Sequence, residues 1–145
     1  MLAEPPILGS LAELIAAQLH SQVELSWRLV DSTRVVANFS IRTLRAEASF
    51  EQRGGPWCFD FQVRLGDEPI STAFRVFSGL FQAVREFIKT RTPEVVTFLS
   101  KNEDLAAIYQ AYLRYERPSI EALGYAVEGP HRVDPYTEFT LRRMR

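Results

Sequence analysis

The sequence is poor in the residues that form disulfides and zinc sites. It contains one cysteine, Cys58, and two histidines, His20 and His131, which lie far apart along the chain. A single cysteine cannot form an intramolecular disulfide, so the cross-linked framework of small secreted domains is excluded and a reducing, cytoplasmic location is expected. With so few nitrogen and sulfur ligands, we expect no metal site.

Long apolar runs and an excess of one charge are also missing. No hydrophobic stretch approaches the roughly 18–20 residues that a membrane-spanning helix needs. The chain starts with acidic Glu4 beside Pro5 and Pro6, unlike the basic start of a signal peptide. The 17 basic and 18 acidic residues give a net charge of -1, which provides no general attraction to nucleic acid or anionic lipid. We therefore expect neither a membrane nor a nucleic acid as partner.

What the sequence has is the material for one ordinary core. Of its 145 residues, 46% are hydrophobic and 24% are charged. No internal repeat, low-complexity segment or linker divides the chain. A sequence of this length and composition is expected to form a single domain over residues 1–145.

Apolar residues recur at every second position through much of the first half. Such alternation predicts half-buried strands, and four in succession predict an antiparallel meander. The four segments are 23–29, 35–41, 46–50 and 57–65. The apolar run Val95–Leu99 predicts a central strand covered on both faces, and 125–128 with 136–141 predict a closing hairpin before a basic tail, 142–145.

Apolar residues at three- and four-residue spacing predict helices before and between these strands. The segments are 10–19, about 71 to 91, and about 103 to 117. Pro118 is expected to interrupt the last helix, and Gly124 is a natural residue to end it. The order of elements predicts an α/β or α+β three-layer arrangement, in which a mixed, mostly antiparallel sheet carries helices on both faces.

One group of residues after the predicted central strand has a recognisable spacing. Asn102 is followed by Ala106, by Ile108-Tyr109 and later by Gly124-Tyr125. Together with the order of elements, this pattern resembles the GNAT acetyltransferase superfamily over roughly the last 90 residues. The first 55 residues share only the strand order.

The resemblance implies a chemistry and places it on two residues. A GNAT-like acyltransferase would move an acetyl group from acetyl-CoA to an amine, with CoA between the central strand and the strand that follows it. The resemblance implies that Asn102 contacts the pantetheine arm or the backbone beside it, and that Tyr109 protonates the leaving thiolate. The acceptor amine stays open.

The segment that would hold the CoA phosphates departs from the family pattern. Where the family has a glycine-rich loop, this chain offers Arg75, Ser78 and Gly79 as cofactor-binding candidates, and the bulky Phe74 and Phe77 stand where close backbone approach would be needed. In this respect the chain also looks like the degenerate GNAT-like proteins of bacteriophage genomes.

Each candidate also has a simpler interpretation. Tyr109 is spaced to pack in the core, Asn102 stands where a helix N-cap belongs, and Ser78 and Gly79 suit close packing. Cys58 has no neighbour that would activate its thiol, so a structural role is expected. Glu47, Glu51 and Asp60 are either bases for the acceptor amine or solvated charges, and they share the polar face of the meander.

Two hypotheses follow. The first is the GNAT-like acyltransferase, and the second is a catalytically silent GNAT-like protein that binds a host or virion protein through exposed aromatic residues. Candidate anchors are Tyr112, Tyr115, Tyr125 and Tyr136. A V-shaped opening between the strand of Phe98 and the strand of Tyr125 is expected for the first hypothesis, and a gap closed by side chains for the second.

Overall fold

The computed structural model describes residues 23–64 and 70–145, with side chains in the first described helix from Arg75 onward. These residues form seven strands and two helices, and the four successive strands of the first half with a mostly antiparallel sheet make this an α+β protein. In chain order the elements are β1 (Ser26–Asp31), β2 (Arg34–Ile41), β3 (Leu44–Gln52), β4 (Trp57–Arg64), α1 (Ile70–Arg91), β5 (Val95–Ser100), α2 (Glu103–Ala122), β6 (Tyr125–Val133) and β7 (Tyr136–Arg143).

The strands form a single sheet with the order β1-β2-β3-β4-β5-β7-β6. Five of its six neighbouring pairs are antiparallel, and only β4 and β5 run parallel. The meander predicted for the first four strands and the interior position predicted for Val95–Leu99 are therefore confirmed. The covering predicted for both faces of this strand is wrong at Leu99, which is 40% exposed, whereas Val96, Phe98 and Ser100 on the opposite face are buried. The helix α1 supplies the crossover that a parallel pair requires.

The register places large side chains in one continuous row across five strands. The row runs Val35, Phe50, Phe59, Phe98, Phe139. Both described helices pack on this face of the sheet. Phe87 of α1 stacks on Phe50 with ring centroids 4.1 Å apart, and Tyr109 of α2 meets Phe98 at 5.7 Å. The helix predicted for residues 10–19 lies outside the described residues, so helices on both faces stay a prediction.

The second helix, α2, continues through Pro118 to Ala122, so the predicted interruption is wrong. Proline removes one backbone donor and crowds the preceding turn, but the turn after it is held by Ile120, which is fully buried. Leu123 is the C-cap, and Gly124 follows with a φ of 93°. This left-handed conformation confirms Gly124 as the residue that ends the helix.

The closing hairpin is longer than the sequence predicts. β6 continues through Gly129 and Pro130 because a bulge between Glu128 and His131 absorbs them. Arg142 and Arg143 belong to β7 instead of a free tail. Arg143 Nη1 donates a hydrogen bond to Thr92 O at 2.8 Å. Neither described helix is long and apolar enough to cross a membrane.

Candidate functional site

The central strand β5 has two unlike neighbours. It pairs with β7 over six residue pairs, from Val95 to Ser100. It pairs with β4 over three, the last being Phe59 with Phe98. Beyond that pair the ladder ends, so β4 and β5 separate toward their carboxyl ends. We call the space beyond Phe59 and Phe98 the β4–β5 junction.

The expected opening between the strands of Phe98 and Tyr125 is not formed. β7 lies between β5 and β6 and is hydrogen-bonded to both. Tyr125 is buried, and its hydroxyl donates a hydrogen bond to the backbone oxygen of Pro93. Among the described strands, the β4–β5 junction is therefore the place where a ligand could be inserted beside β5.

Tyr109 of α2 packs against the side chains that border this junction. Its side chain is 2% exposed. Its ring contacts aromatic rings from both separating strands, from β7 and from α1, with edge-to-face geometry that favours aromatic pairs. The centroid distances are 6.5 Å to Phe59, 6.3 Å to Phe61, 5.7 Å to Phe98, 6.3 Å to Phe139 and 6.4 Å to Phe81.

Burial raises the pKa of the Tyr109 hydroxyl well above its ordinary value, and the negative charge of Asp60 raises it further. Both effects disfavour the phenolate, because it would be a second anion in a place with little water. A thiol has an ordinary pKa of about 8.5. Proton transfer from Tyr109 to a thiolate would thus run uphill.

Asn102 caps α2 with its side chain. Its Oδ1 accepts hydrogen bonds from the backbone N–H of Asp104 at 2.8 Å and of Leu105 at 3.3 Å. Ser100 holds the backbone of Asn102 in place, since its hydroxyl donates a hydrogen bond to Asn102 O at 2.7 Å and accepts one from Asn102 N at 3.1 Å. The predicted N-cap is confirmed, and the amide oxygen of Asn102 is already used within the protein.

Ser78 and Gly79 lie in the third turn of α1, which begins at Ile70. A helix leaves only its first four N–H groups free, so the amides of residues 78 and 79 do not form an anion cradle. A Cβ on Gly79 would stand 2.7 Å from the Phe39 ring. The absence of a side chain therefore serves close packing of α1 on β2. Arg75 lies in the second turn of α1 and is half-buried.

The acidic residues of the meander occupy the other face of the sheet. Glu47, Glu51 and Asp60 belong to rows that alternate with the aromatic row. Glu51 pairs with Arg53 at 3.5 Å, and Asp60 accepts a hydrogen bond from Phe61 N at 2.8 Å. Cys58, on the same face and half-buried, accepts a hydrogen bond from Thr97 Oγ1 at 3.4 Å. This face lies opposite the ring of Tyr109.

Two of the four tyrosines expected as exposed anchors are buried. Tyr112 and Tyr125 are 0% and 1% exposed, whereas Tyr115 is 41% exposed. Tyr136 is half-buried, with the Lys101 ammonium 5.2 Å from its ring centroid. The two buried rings lie where the helix and hairpin meet the core, so they are not available to a partner.

A buried ion pair between the two helices was not predicted. Arg85 Nη1 of α1 lies 2.6 Å from Glu116 Oε1 of α2, and the Glu116 side chain is 4% exposed. Burial raises the pKa of Glu116, and Arg85 offsets part of the rise. The sequence spacing could have revealed the burial of Glu116, because this residue continues the apolar stripe of Tyr109, Tyr112 and Leu113.

The strand β1 was predicted as half-buried, but every residue in it is exposed. Trp27, Leu29 and Val30 are 38%, 61% and 42% exposed. Alternation predicts the strand but not its place at the sheet edge, where one flank has no neighbour among the described strands. This exposed apolar strand is the second feature of the molecule that bears on function.

Comparison with known proteins adds no assignment. No family model, no curated protein and no solved structure matches the chain. Among the residues that the structure describes, no group of three or more His, Cys, Asp or Glu side chains is arranged to hold a metal ion.

Proposed function

We propose that this chain is a GNAT-like protein that does not transfer acyl groups and acts by binding another protein. The GNAT-like part is supported by the strand order, by the single parallel pair β4–β5 and by the resemblance at Asn102, Tyr109 and Gly124-Tyr125. The proposal keeps the single-domain, three-layer arrangement that the resemblance implies. The second helical layer rests on the helix predicted over residues 10–19.

The observation that carries the proposal is the position of Tyr109. A pantetheine arm beside β5 needs the space in which β4 and β5 separate, and the Tyr109 ring packs among five other rings at the border of that space. Interiors are packed to crystal-like density, so a ligand could enter only by expelling side chains. The junction is therefore built as core.

The residues expected to carry catalysis and cofactor binding are poorly suited to these roles. The raised pKa of Tyr109 makes its hydroxyl a poor acid, Asn102 Oδ1 is used as a cap, and Gly79 is used for packing. A binding role is favoured by the exposed apolar residues of β1, because such residues on a sheet edge invite another chain.

Thermal unfolding with acetyl-CoA and with CoA tests the proposal. A ligand at about 100 times its dissociation constant adds about 2.7 kcal/mol to the stability, which raises Tm by roughly 5–10 °C for a domain of this size. We expect no change of Tm at millimolar acetyl-CoA. ATP is the matched control, because it shares the adenine and phosphates but lacks the thioester arm.

A saturable rise of Tm with acetyl-CoA and not with ATP would overturn the proposal in favour of acetyl transfer to an amine. Bulky substitution of Gly79 is not a useful control in this experiment, because a side chain there meets the Phe39 ring and would disturb the packing of α1 on β2. Leu99→Ala is the better reference variant, since Leu99 is 40% exposed on the other face of β5.

A further inference from the structure

The two edges of the sheet are protected to different degrees. At the β6 edge, a bulge between Glu128 and His131 and the donor-less Pro130 interrupt the row of hydrogen-bonding groups. At the β1 edge, a bulge between Leu29 and Asp31 affects only the end of the strand. Trp27, Leu29 and Val30 are exposed there, beside a backbone that pairs on one flank only among the described residues. Exposed apolar residues on a sheet edge invite pairing with another chain.

A hollow runs from this edge to the end of α1. It has a volume of about 430 Å³. Its apolar floor consists of Trp27, Leu29, Val35 and Phe87. Trp27 stacks on Phe50 with centroids 6.1 Å apart, so the floor is continuous with the core. A strand added to β1 would direct every second side chain into this hollow, because side chains alternate between the two faces of a strand.

The rim of the hollow carries an excess of positive charge. Arg28, Lys89 and Arg91 are exposed, and none forms an ion pair within the described part of the chain; the one acidic residue of the rim is Glu86. Like charges across an interface are unfavourable. A second copy would bring the same cations against these, whereas an acidic segment would neutralise them.

We propose that the β1 edge and the last turns of α1 bind an extended, acidic segment of a partner protein, which adds to the sheet as a further strand beside β1. The backbone of β1 supplies the hydrogen bonds, the hollow receives apolar side chains of the segment, and Arg28, Lys89 and Arg91 select its acidic ones. The inference rests on the proposed function and names the partner chemistry that the function requires.

Fluorescence anisotropy with two labelled peptides tests the inference on the intact protein. One ten-residue peptide alternates glutamate with valine, and its matched control alternates lysine with valine. We expect saturable binding of the acidic peptide, at least about tenfold tighter than the basic one, and weaker binding at high salt because the selecting charges are exposed.

Three variants locate the site. Leu29→Asp places a charge on the apolar floor and should abolish binding, while Leu99→Asp, at an exposed leucine on an interior strand, should leave it unchanged. Lys89→Glu together with Arg91→Glu should reverse the preference toward the basic peptide. These residues are exposed, so the substitutions should leave Tm nearly unchanged.

The inference is overturned if neither peptide binds at millimolar concentration, if both bind equally, or if Leu29→Asp has no effect. Concentration-dependent dimerisation in sedimentation that Leu29→Asp abolishes would assign the edge to a second copy, and stronger binding of an oligonucleotide than of the acidic peptide would assign it to nucleic acid. Both results overturn the inference. If the protein binds acetyl-CoA but still prefers the acidic peptide, the further inference stands, and only the proposed absence of acyl transfer is refuted.

Discussion

The two flanks of β5 show how one strand can meet its neighbours in two ways. On the β7 side, six residue pairs hold the strands together along their full length. On the β4 side, pairing stops after three residue pairs, and the space beyond is bordered by Tyr109 and the rings around it. Backbone hydrogen bonds give way to side-chain packing, and a separation of strands becomes a binding site only where side chains leave it open.

The largest effect is expected from removing a ring of the junction itself. Phe98 is fully buried between Phe59, Phe81 and Tyr109. Phe98→Ala should lower the free energy of unfolding by about 3–5 kcal/mol, because it leaves a cavity that the sheet cannot close. Urea denaturation measures the loss. Leu99→Ala, one residue on and 40% exposed, should cost less than about 1 kcal/mol. Equal effects of the two variants would show that the junction is not packed as core.

A smaller effect is expected from the ion pair that joins the two described helices. Glu116→Ala removes the partner of Arg85 and should cost about 2 kcal/mol, less than a fully buried pair, because the Arg85 side chain is 26% exposed. Urea denaturation is again the measurement. Glu121→Ala removes an exposed pair with Arg117 and should change stability by no more than about 0.5 kcal/mol.

The same pair predicts a pH dependence. Because burial raises the pKa of Glu116 above its unfolded value of 4.5, the folded state binds this proton more tightly than the unfolded state does. The contribution of Glu116 to stability is therefore full at pH values below its pKa in the unfolded state. It is lost as the pH rises through its pKa in the folded state. Glu116→Gln should remove this decline when urea midpoints are compared from acidic to neutral pH. An unchanged decline would place its origin elsewhere.

The cap of α2 is expected to have a moderate effect, because it anchors the helix that carries Tyr109. Asn102→Ala removes the acceptor for two backbone amides and should lower stability by about 1 kcal/mol. Asn102→Asp keeps an acceptor and should retain most of the stability. Thermal unfolding separates the two variants. If Asn102→Ala is as stable as the wild type, the amide has a role other than capping.

The smallest effect is expected from the hydroxyl of Tyr109. Tyr109→Phe keeps all five ring contacts, so the free energy of unfolding should change by less than about 1 kcal/mol. Denaturant unfolding of this variant beside Tyr109→Ala, which loses the ring, provides the comparison. A large loss in Tyr109→Phe would mean that the hydroxyl, and not the ring, holds the junction together.

The sequence predicts elements better than it predicts their surroundings. The limits of β2, β4 and α1 follow closely from alternation and helical spacing, because these patterns reflect which side of an element is buried. The N-cap at Asn102 and the left-handed Gly124 follow from local chemistry. All of these depend on residues near in sequence.

What could not be predicted depends on contacts between distant segments. The exposure of Trp27 follows from the edge position of β1, and the burial of Tyr125 follows from its contact with Pro93. The packing role of Gly79 requires Phe39 to lie beneath it. Likewise, the position of Tyr109 in the β4–β5 junction follows from the register that aligns Phe59 with Phe98.

Calorimetric titration of acetyl-CoA into the intact protein tests the closed junction most directly. If Tyr109 and its neighbouring rings occupy the space beside β5, millimolar acetyl-CoA should give only the heat of dilution, equal to that of ATP under the same conditions. A saturable heat specific to acetyl-CoA, reduced in Tyr109→Phe, would show that the junction opens to the cofactor and would contradict the account.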